Sequence, residues 1–515
     1  MSPSLEPVID CDCVALRAGA LRNGPDIRES LVGAGYTPYA LASIIGLSSP
    51  DERQDVELVF RRVRADSPFN ILVRLFWLGH PVCEKTLRGL VPRLDVEGLI
   101  STGLLLQRDG DVCSTAKLAP YHDLFMASDF GFETRGRLHA DHVLGVGAAS
   151  QTLAGMTVRR KVGRALDLGS GAGIQAFLAA RHADRVIGTD VSSRALAFAE
   201  FNARLNAISN VQWRRGSLYE PLGEEVFDLI VSNPPFVISP ESSFTFRDGG
   251  QPADTLSQQV IQKAAPRLTD GGFACILFNW YHQDDSDWAV RPGEWVAGTG
   301  CDALVICFKS TDALPYAADW LRNSLGPGCP EYGRRLDEWA AYYERTGVVR
   351  ISAGAMILRH RPARSNWFSA RRMGSARCVG PCGEQIERIF AAEDLLADIK
   401  DDRELLRHRY RLSDDHELTH ELKISEGQWV LTRQTLHNRM GIPFSGDLDI
   451  VVTELLARCD RHATLVEAIT AVAGSMELNS EELQPACLVV IRKLLQSGLL
   501  HVCTGDRSCE DGFRE

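Results

Sequence analysis

Between residues 141 and 361 short apolar runs alternate with stretches of helical spacing, a pattern that predicts a parallel α/β sheet. Strands are predicted at 165–168, 186–190, 211–215, 229–232, 273–278, 303–308 and 349–359, with helices at 174–181, 193–206 and 255–268. Residues 310–345, rich in Trp, Tyr and Arg, make a longer connection than usual before the last strand. Upstream the pattern differs. Ile27, Leu31 and Val32 repeat at helical spacing, with Gly35 as a stop. Ser67 is placed to cap a helix that has Pro68 at its first position. Helices at 84–90 and 96–101 follow, then two strands joined by a turn at Asp109 and Gly110. Three short helices and a hairpin over 67–120 make a winged-helix pattern. Such a module binds nucleic acid or docks onto a neighbouring domain, and the lack of a dense basic run favours docking. Residues 380–430 are charged and give no clear pattern, whereas 446–503 again read as winged-helix-like.

The expected division is therefore a winged-helix-like domain at 1–140, the α/β domain at 141–361, a basic linker at 362–379 and a C-terminal domain at 380–515. Composition changes little in that picture. The chain has 515 residues, 45% hydrophobic and 24% charged, with net charge −11, so no overall basic field draws nucleic acid. The first residues lack the basic and apolar regions of a secretory signal, and no apolar run is long enough to span a membrane. The 14 cysteines are scattered, several in apolar segments, as in a reducing compartment. A cytoplasmic location with no membrane contact is expected.

The most informative stretch is RALDLGSGAGIQAFLAARHADRVIGTD. A strand ends at Asp167, Gly169, Gly171 and Gly173 follow, and a helix begins; a second strand ends at Asp190. The glycines let the backbone turn tightly and approach a ligand. Asp190 is placed to accept ribose hydroxyls. The spacing is not that of a dinucleotide fingerprint, and an acid at the turn would repel a pyrophosphate. S-adenosylmethionine carries a sulfonium and an ammonium, so the electrostatics favour it as cofactor.

A later strand runs into Asn233-Pro234-Pro235-Phe236 at its carboxyl end, where open α/β sheets hold ligands. Two prolines fix the backbone and aim carbonyl oxygens, and the Asn carboxamide adds an acceptor. Together these can hold a planar NH2 group and direct its lone pair at a methyl donor, with Phe236 offering a stacking face.

Residues 141–361 thus resemble a class I S-adenosylmethionine-dependent methyltransferase of the N-P-P-[FY] type. That group includes release-factor glutamine, ribosomal RNA guanine-N2 and adenine-N6 methyltransferases. The resemblance implies a Rossmann-like seven-stranded sheet, flanked here by the winged-helix-like ends. It implies that Asp167, Gly169, Gly171 and Gly173 form the cofactor turn, that Asp190 binds ribose, and that Asn233 and the Pro234 carbonyl grip the target nitrogen beside Phe236. The family often has an acid after its third strand for the adenine amine; Ser217 stands there instead, a weaker partner.

Arg247 and Asp248 either line the substrate mouth or form a structural ion pair. Residues 142–154 either cover the cofactor or simply begin a helix. Residues 359–377 hold six Arg and no acid around Trp367 and Phe368, which suits single-stranded RNA or a solvated linker. Cys378 with Cys382, and Cys11 with Cys13, lack a second ligand pair, so no metal is expected. The expected function is N-methylation of a macromolecule, with RNA slightly ahead of protein and a small molecule also open. A protein that binds the cofactor for regulation is the non-enzymatic alternative.

Overall fold

The computed structural model describes residues 15–46, 55–135, 138–284, 288–325, 328–373 and 380–503. Cys11, Cys13 and Cys378 lie outside them, as do 374–377 of the basic segment. The chain divides into two compact units, one of Met1–Ala154 with Arg160–Arg372, the other of Gly155–Arg159 with Met373–Glu515.

The first unit opens with α1 (Gly24–Gly33), α2 (Pro38–Ile45), α3 (Val56–Arg62) and α4 (Pro68–Leu72). Ser67 Oγ caps α4 by accepting the Asn70 N–H at 3.1 Å. Then come β1 (Val82–Cys83), α5 (Glu84–Leu90), α6 (Val96–Thr102), β2 (Leu105–Arg108) and β3 (Asp111–Ser114), in a small sheet of order β1-β3-β2. Asp109 and Gly110, both at positive φ, make the turn between β2 and β3. A separate hairpin, β4 (Lys117–Tyr121) and β5 (Leu124–Ser128), and the short α7 (Phe132–Arg135) lead to α8 (Ala148–Met156).

The large sheet follows: β6 (Val162–Leu168), α9 (Ile174–Ala180), β7 (Ala183–Asp190), α10 (Ser193–Leu205), β8 (Val211–Arg215), β9 (Phe227–Ser232), α11 (Thr255–Ala264), β10 (Leu268–His282), α12 (Val290–Val296), β11 (Cys301–Asp312), α13 (Ala313–Leu325), α14 (Tyr332–Thr346) and β12 (Arg350–His360). All seven expected strands are present, with β12 antiparallel to both neighbours. An eighth, β13 (Phe368–Arg372), lies parallel to β11 and gives the order β13-β11-β12-β10-β9-β6-β7-β8. Part of the expected basic linker is therefore sheet edge. Two cations of the segment 359–377 are engaged internally: Arg359, on β12, meets Asp302 at 2.6 Å, and the Arg372 guanidinium lies 4.9 Å from the Trp288 ring.

The upstream helices and hairpins share one apolar cluster with α10, running from Leu16 to Leu205. Two carboxamides one turn apart, Asn202 on α10 and Asn206 at its C-cap, complete the join. Asn202 accepts the Ala127 N–H (2.7 Å) and donates to the Ala127 carbonyl (2.9 Å). Asn206 does the same with Phe125, at 2.9 and 2.8 Å. Each side chain thus serves β5 as a neighbouring strand would.

The second unit holds α15 (Gly383–Asp398), β14 (Arg409–Leu412), β15 (His416–Ser425), β16 (Gln428–Asn438), β17 (Ser445–Leu448), α16 (Ile450–Ala457), β18 (Asp460–Thr464), α17 (Leu465–Ser475), α18 (Ser480–Gln496) and β19 (Leu500–Cys503). Its sheets run β18-β14-β19 and β15-β16-β17, and its core is its own. The stretch 380–430, which lacks a clear pattern in sequence, supplies the central strand β14 and a long exposed hairpin. Among the described residues no helix is long and apolar enough to cross a membrane, and no cluster of three or more His, Cys, Asp or Glu could hold a metal.

Candidate active site

The loops leaving the carboxyl ends of β6, β7, β8 and β9 enclose a cavity of about 450 Å³. It sits where strand order reverses between β6 and β9. Asp167, Gly169, Gly171, Asp190, Ser217, Asn233, Pro234 and Pro235 all line it.

On the glycine side, Gly169, Gly171 and Gly173 take φ of 76°, 53° and 93°, the left-handed region that favours glycine. Gly173 does not line the cavity; it caps α9, and a Cβ there would meet the Phe177 ring at 2.8 Å. Asp167 accepts the Ala176 N–H at 3.0 Å from the first turn of α9. Burial pushes its carboxyl up to about 7. Asp190 is held by two N–H groups, Gly171 on one oxygen and Ser192 on the other, both at 2.9 Å. Burial raises its pKa as well. Asp190 therefore shapes the glycine turn besides facing the cavity.

On the other side, Ser232 Oγ donates to the Leu168 carbonyl at 2.8 Å and fixes the end of β9. Asn233 follows, and its Oδ1 is buried without a hydrogen-bond partner. Leaving such an acceptor unmet costs about 1–3 kcal/mol, so the site is built for a donor. Phe236 departs from expectation. It does not line the cavity and instead packs, half-buried, against the cluster of α13 and α14.

Arg247 and Asp248 resolve in favour of an ion pair. Arg247 Nε meets Asp248 Oδ1 at 2.7 Å, and its other nitrogens reach Glu241 (2.6 Å) and Ser324 (2.8 Å). Asp248 touches the cavity, but both its oxygens are engaged, one with Ser239 and Arg247, the other with the Phe244 N–H. The pair shapes loop 239–250 and is not placed to grip a substrate.

Sequence reading missed several residues. Loop 239–250 brings Ser242, Thr245 and Phe246 to the cavity. The stretch 142–154 divides between its two expected roles: 142–146, with Asp141, line the cavity from the other side, His142 packing on Phe246 with ring centroids 5.7 Å apart, and α8 begins at Ala148. Asp129, just after β5, anchors this cover: it accepts the Val143 N–H at 2.8 Å and pairs with Arg194 of α10. Burial lowers the His142 pKa, which favours the neutral ring. No local sequence signal marks Asp129.

Residues 144–284 match the model of the "Methyltransferase small domain", so the central part of the chain is such a domain. Residues 33–116 and 387–502 match two families described only as "Domain of unknown function", DUF7059 and DUF7782. A "Release factor glutamine methyltransferase" of Xylella fastidiosa is 33% identical over 29% of this chain and 58% of its own length. A "Ribosomal protein uL3 glutamine methyltransferase" of Bradyrhizobium diazoefficiens is 33% identical over 34% of this chain and 59% of its own. A "Ribosomal RNA small subunit methyltransferase C" of Escherichia coli is 30% identical over 30% and 43%. The chain thus spans between 43% and 59% of the length of these relatives.

Proposed function

We propose that the protein is an N-methyltransferase acting on a planar amide or amine nitrogen of a macromolecule. The observation that carries this reading is the buried, unpartnered Asn233 Oδ1 in the same cavity as the glycine turn and Asp190. The residues present fit S-adenosylmethionine: glycines that admit close approach, Asp190 for a ribose, and Asp167, a buried acid suited to a cationic ligand. That cofactor, when bound, supplies an electrophilic methyl group carried on sulfur. The protein's part is positioning. Asn233 Oδ1 and the Pro234 carbonyl accept the hydrogens of the target NH2, hold its plane and direct its lone pair. The cover of 141–146 and loop 239–250 excludes water, so these bonds act in a low dielectric.

The cavity lining gives a reason to rank the two substrate classes. Among the described residues lining the cavity are Asp141, Asp167, Asp190 and Asp248, with no Lys or Arg. A nucleotide brings phosphates that find no cation on these walls, whereas a protein carboxamide needs none. Arg359 on β12 and Arg372 on the edge strand β13 of the basic segment already have partners. A protein carboxamide, as in the two glutamine methyltransferase relatives, is therefore the first reading. An RNA base is the second, favoured by the order helix, β1, α5, α6, β2, β3 with sheet β1-β3-β2, which supports a winged helix at 67–120. Its packing into the cluster shared with α10 supports docking as its role. Tritiated S-adenosylmethionine incubated with the full chain and with protein or RNA from a strain lacking it tests the choice. Label in protein supports the first reading, label in RNA the second, and label in neither contradicts the proposal.

A further inference from the structure

The diproline leaves the Asn233 turn with few ways to be held. Pro234 and Pro235 have no N–H to donate, so the turn is fixed by the chain on either side of it. Upstream, β9 and the bond from Ser232 to Leu168 do this. Downstream, the Val237 N–H donates to the Arg247 carbonyl at 3.2 Å, and Ile238, fully buried, has both its backbone groups captured by phenols. Its N–H donates to Tyr316 Oη at 3.3 Å, and its carbonyl accepts from Tyr343 Oη at 2.8 Å. Tyr316 Oη also accepts from Asn279 Nδ2 at 2.8 Å, and Asn279 lies on β10, the strand beside β9. The two tyrosines come from α13 and α14, the long connection between β11 and β12. Burial raises the pKa of both phenols, so they remain protonated hydrogen-bonding groups at neutral pH. Packing alone would not need the hydroxyls, since phenylalanine fills nearly the same space.

We propose that Tyr316 and Tyr343 are positioning residues, which clamp Ile238 and thereby aim Asn233 and the Pro234 carbonyl at the target nitrogen. The inference rests on the reading of Asn233 given above and adds a function for the α13–α14 insertion.

The test needs no knowledge of the substrate. Calorimetry on the full chain compares two cofactor analogues, S-adenosylhomocysteine and sinefungin; sinefungin carries an amine where the transferable methyl would sit. In the wild type that amine donates to Asn233 Oδ1, so sinefungin binds about tenfold or more tightly than S-adenosylhomocysteine, the scale of a charge-assisted hydrogen bond. Tyr343→Phe and Tyr316→Phe each keep S-adenosylhomocysteine affinity within about twofold and lose most of that sinefungin advantage. Asn233→Ala abolishes the advantage, and adding Tyr343→Phe to it changes nothing further, because the tyrosine acts through Asn233. Equal losses for both ligands, no loss, or additive losses in the double variant would overturn the clamp. If Asn233→Ala itself kept the sinefungin advantage, the reading of the turn would fall, and the clamp with it. Binding of neither ligand by the wild type would remove the cofactor site and both proposals.

Discussion

The two ends of the chain read alike in sequence, yet one shares its core with the methyltransferase sheet and the other encloses its own. Residues 15–128 bury their apolar side chains in the cluster that includes Phe198, Phe201 and Leu205 of α10. Residues 380–503 close a separate core around Leu455, Ile469 and Ile491. The difference lies in what each end is asked to hold. Asn202 on α10 bonds the Ala127 backbone on one side and the Ala172 carbonyl of the glycine turn on the other, at 3.0 Å. The upstream end is thus wired to the cavity. Gln385 of α15 does comparable work within its own unit, bonding the Ile442 backbone and the Ser497 carbonyl.

The most severe way to break this comparison is to remove one end. Deleting 15–128 strips the cover from Phe198, Phe201 and Leu205, and the remaining chain is expected to be insoluble or to lose its cooperative melt. Ending the chain after Met373 removes a unit with its own core. That variant is expected to melt earlier, because Gly155–Arg159 lose the rest of their unit and the Gly155 carbonyl loses the Cys382 N–H, but to keep S-adenosylhomocysteine affinity within about threefold by calorimetry.

Single substitutions sharpen the contrast. Asn202→Ala leaves buried backbone groups of Ala127 and Ala172 unmet, costing about 3 kcal/mol in chemical denaturation, with weaker cofactor binding as well. Gln385→Ala should cost about 2 kcal/mol and leave cofactor affinity unchanged. Equal effects on affinity from both would show that the two ends are coupled to the site in the same way.

The smallest expected effect is a pH dependence. Burial raises Asp167 from the usual carboxylate range to about 7, so the folded chain binds its proton more tightly than the unfolded chain does. Ionising Asp167 in the folded state therefore costs stability as pH rises from about 4 to 7, and a cationic ligand offsets that cost. The melting shift given by S-adenosylmethionine should grow from pH 6 to pH 8, with affinity rising by up to about tenfold. Asp167→Asn should flatten this slope.

The seven strands, the glycine turn, Asp190 and the Asn233 turn are legible in sequence because each depends on local pattern: a period, a glycine spacing, a proline pair. What is not legible depends on partners distant along the chain. Asn202 and Asn206 meet residues 75 and 81 positions away, through side-chain amides that leave no periodic trace. Asp129 holds Val143 and Arg194 in the same manner. Arg247 and Asp248 were readable as charged neighbours, but only Glu241 and Ser324 decide that they face inward. Phe368 opens a strand because β11 offers it an edge, which an Arg-rich segment does not advertise.

The role proposed for Asn233 is to hold the target nitrogen and not the cofactor. Single-turnover methyl transfer by Asn233→Ala, measured on whichever cellular fraction the wild type labels, tests this most directly. The account predicts a rate lower by about 10²–10³, the loss of one positioned contact, with S-adenosylmethionine affinity within about twofold of the wild type. A wild-type rate in that variant would contradict it and leave the Asn233 turn as scaffolding.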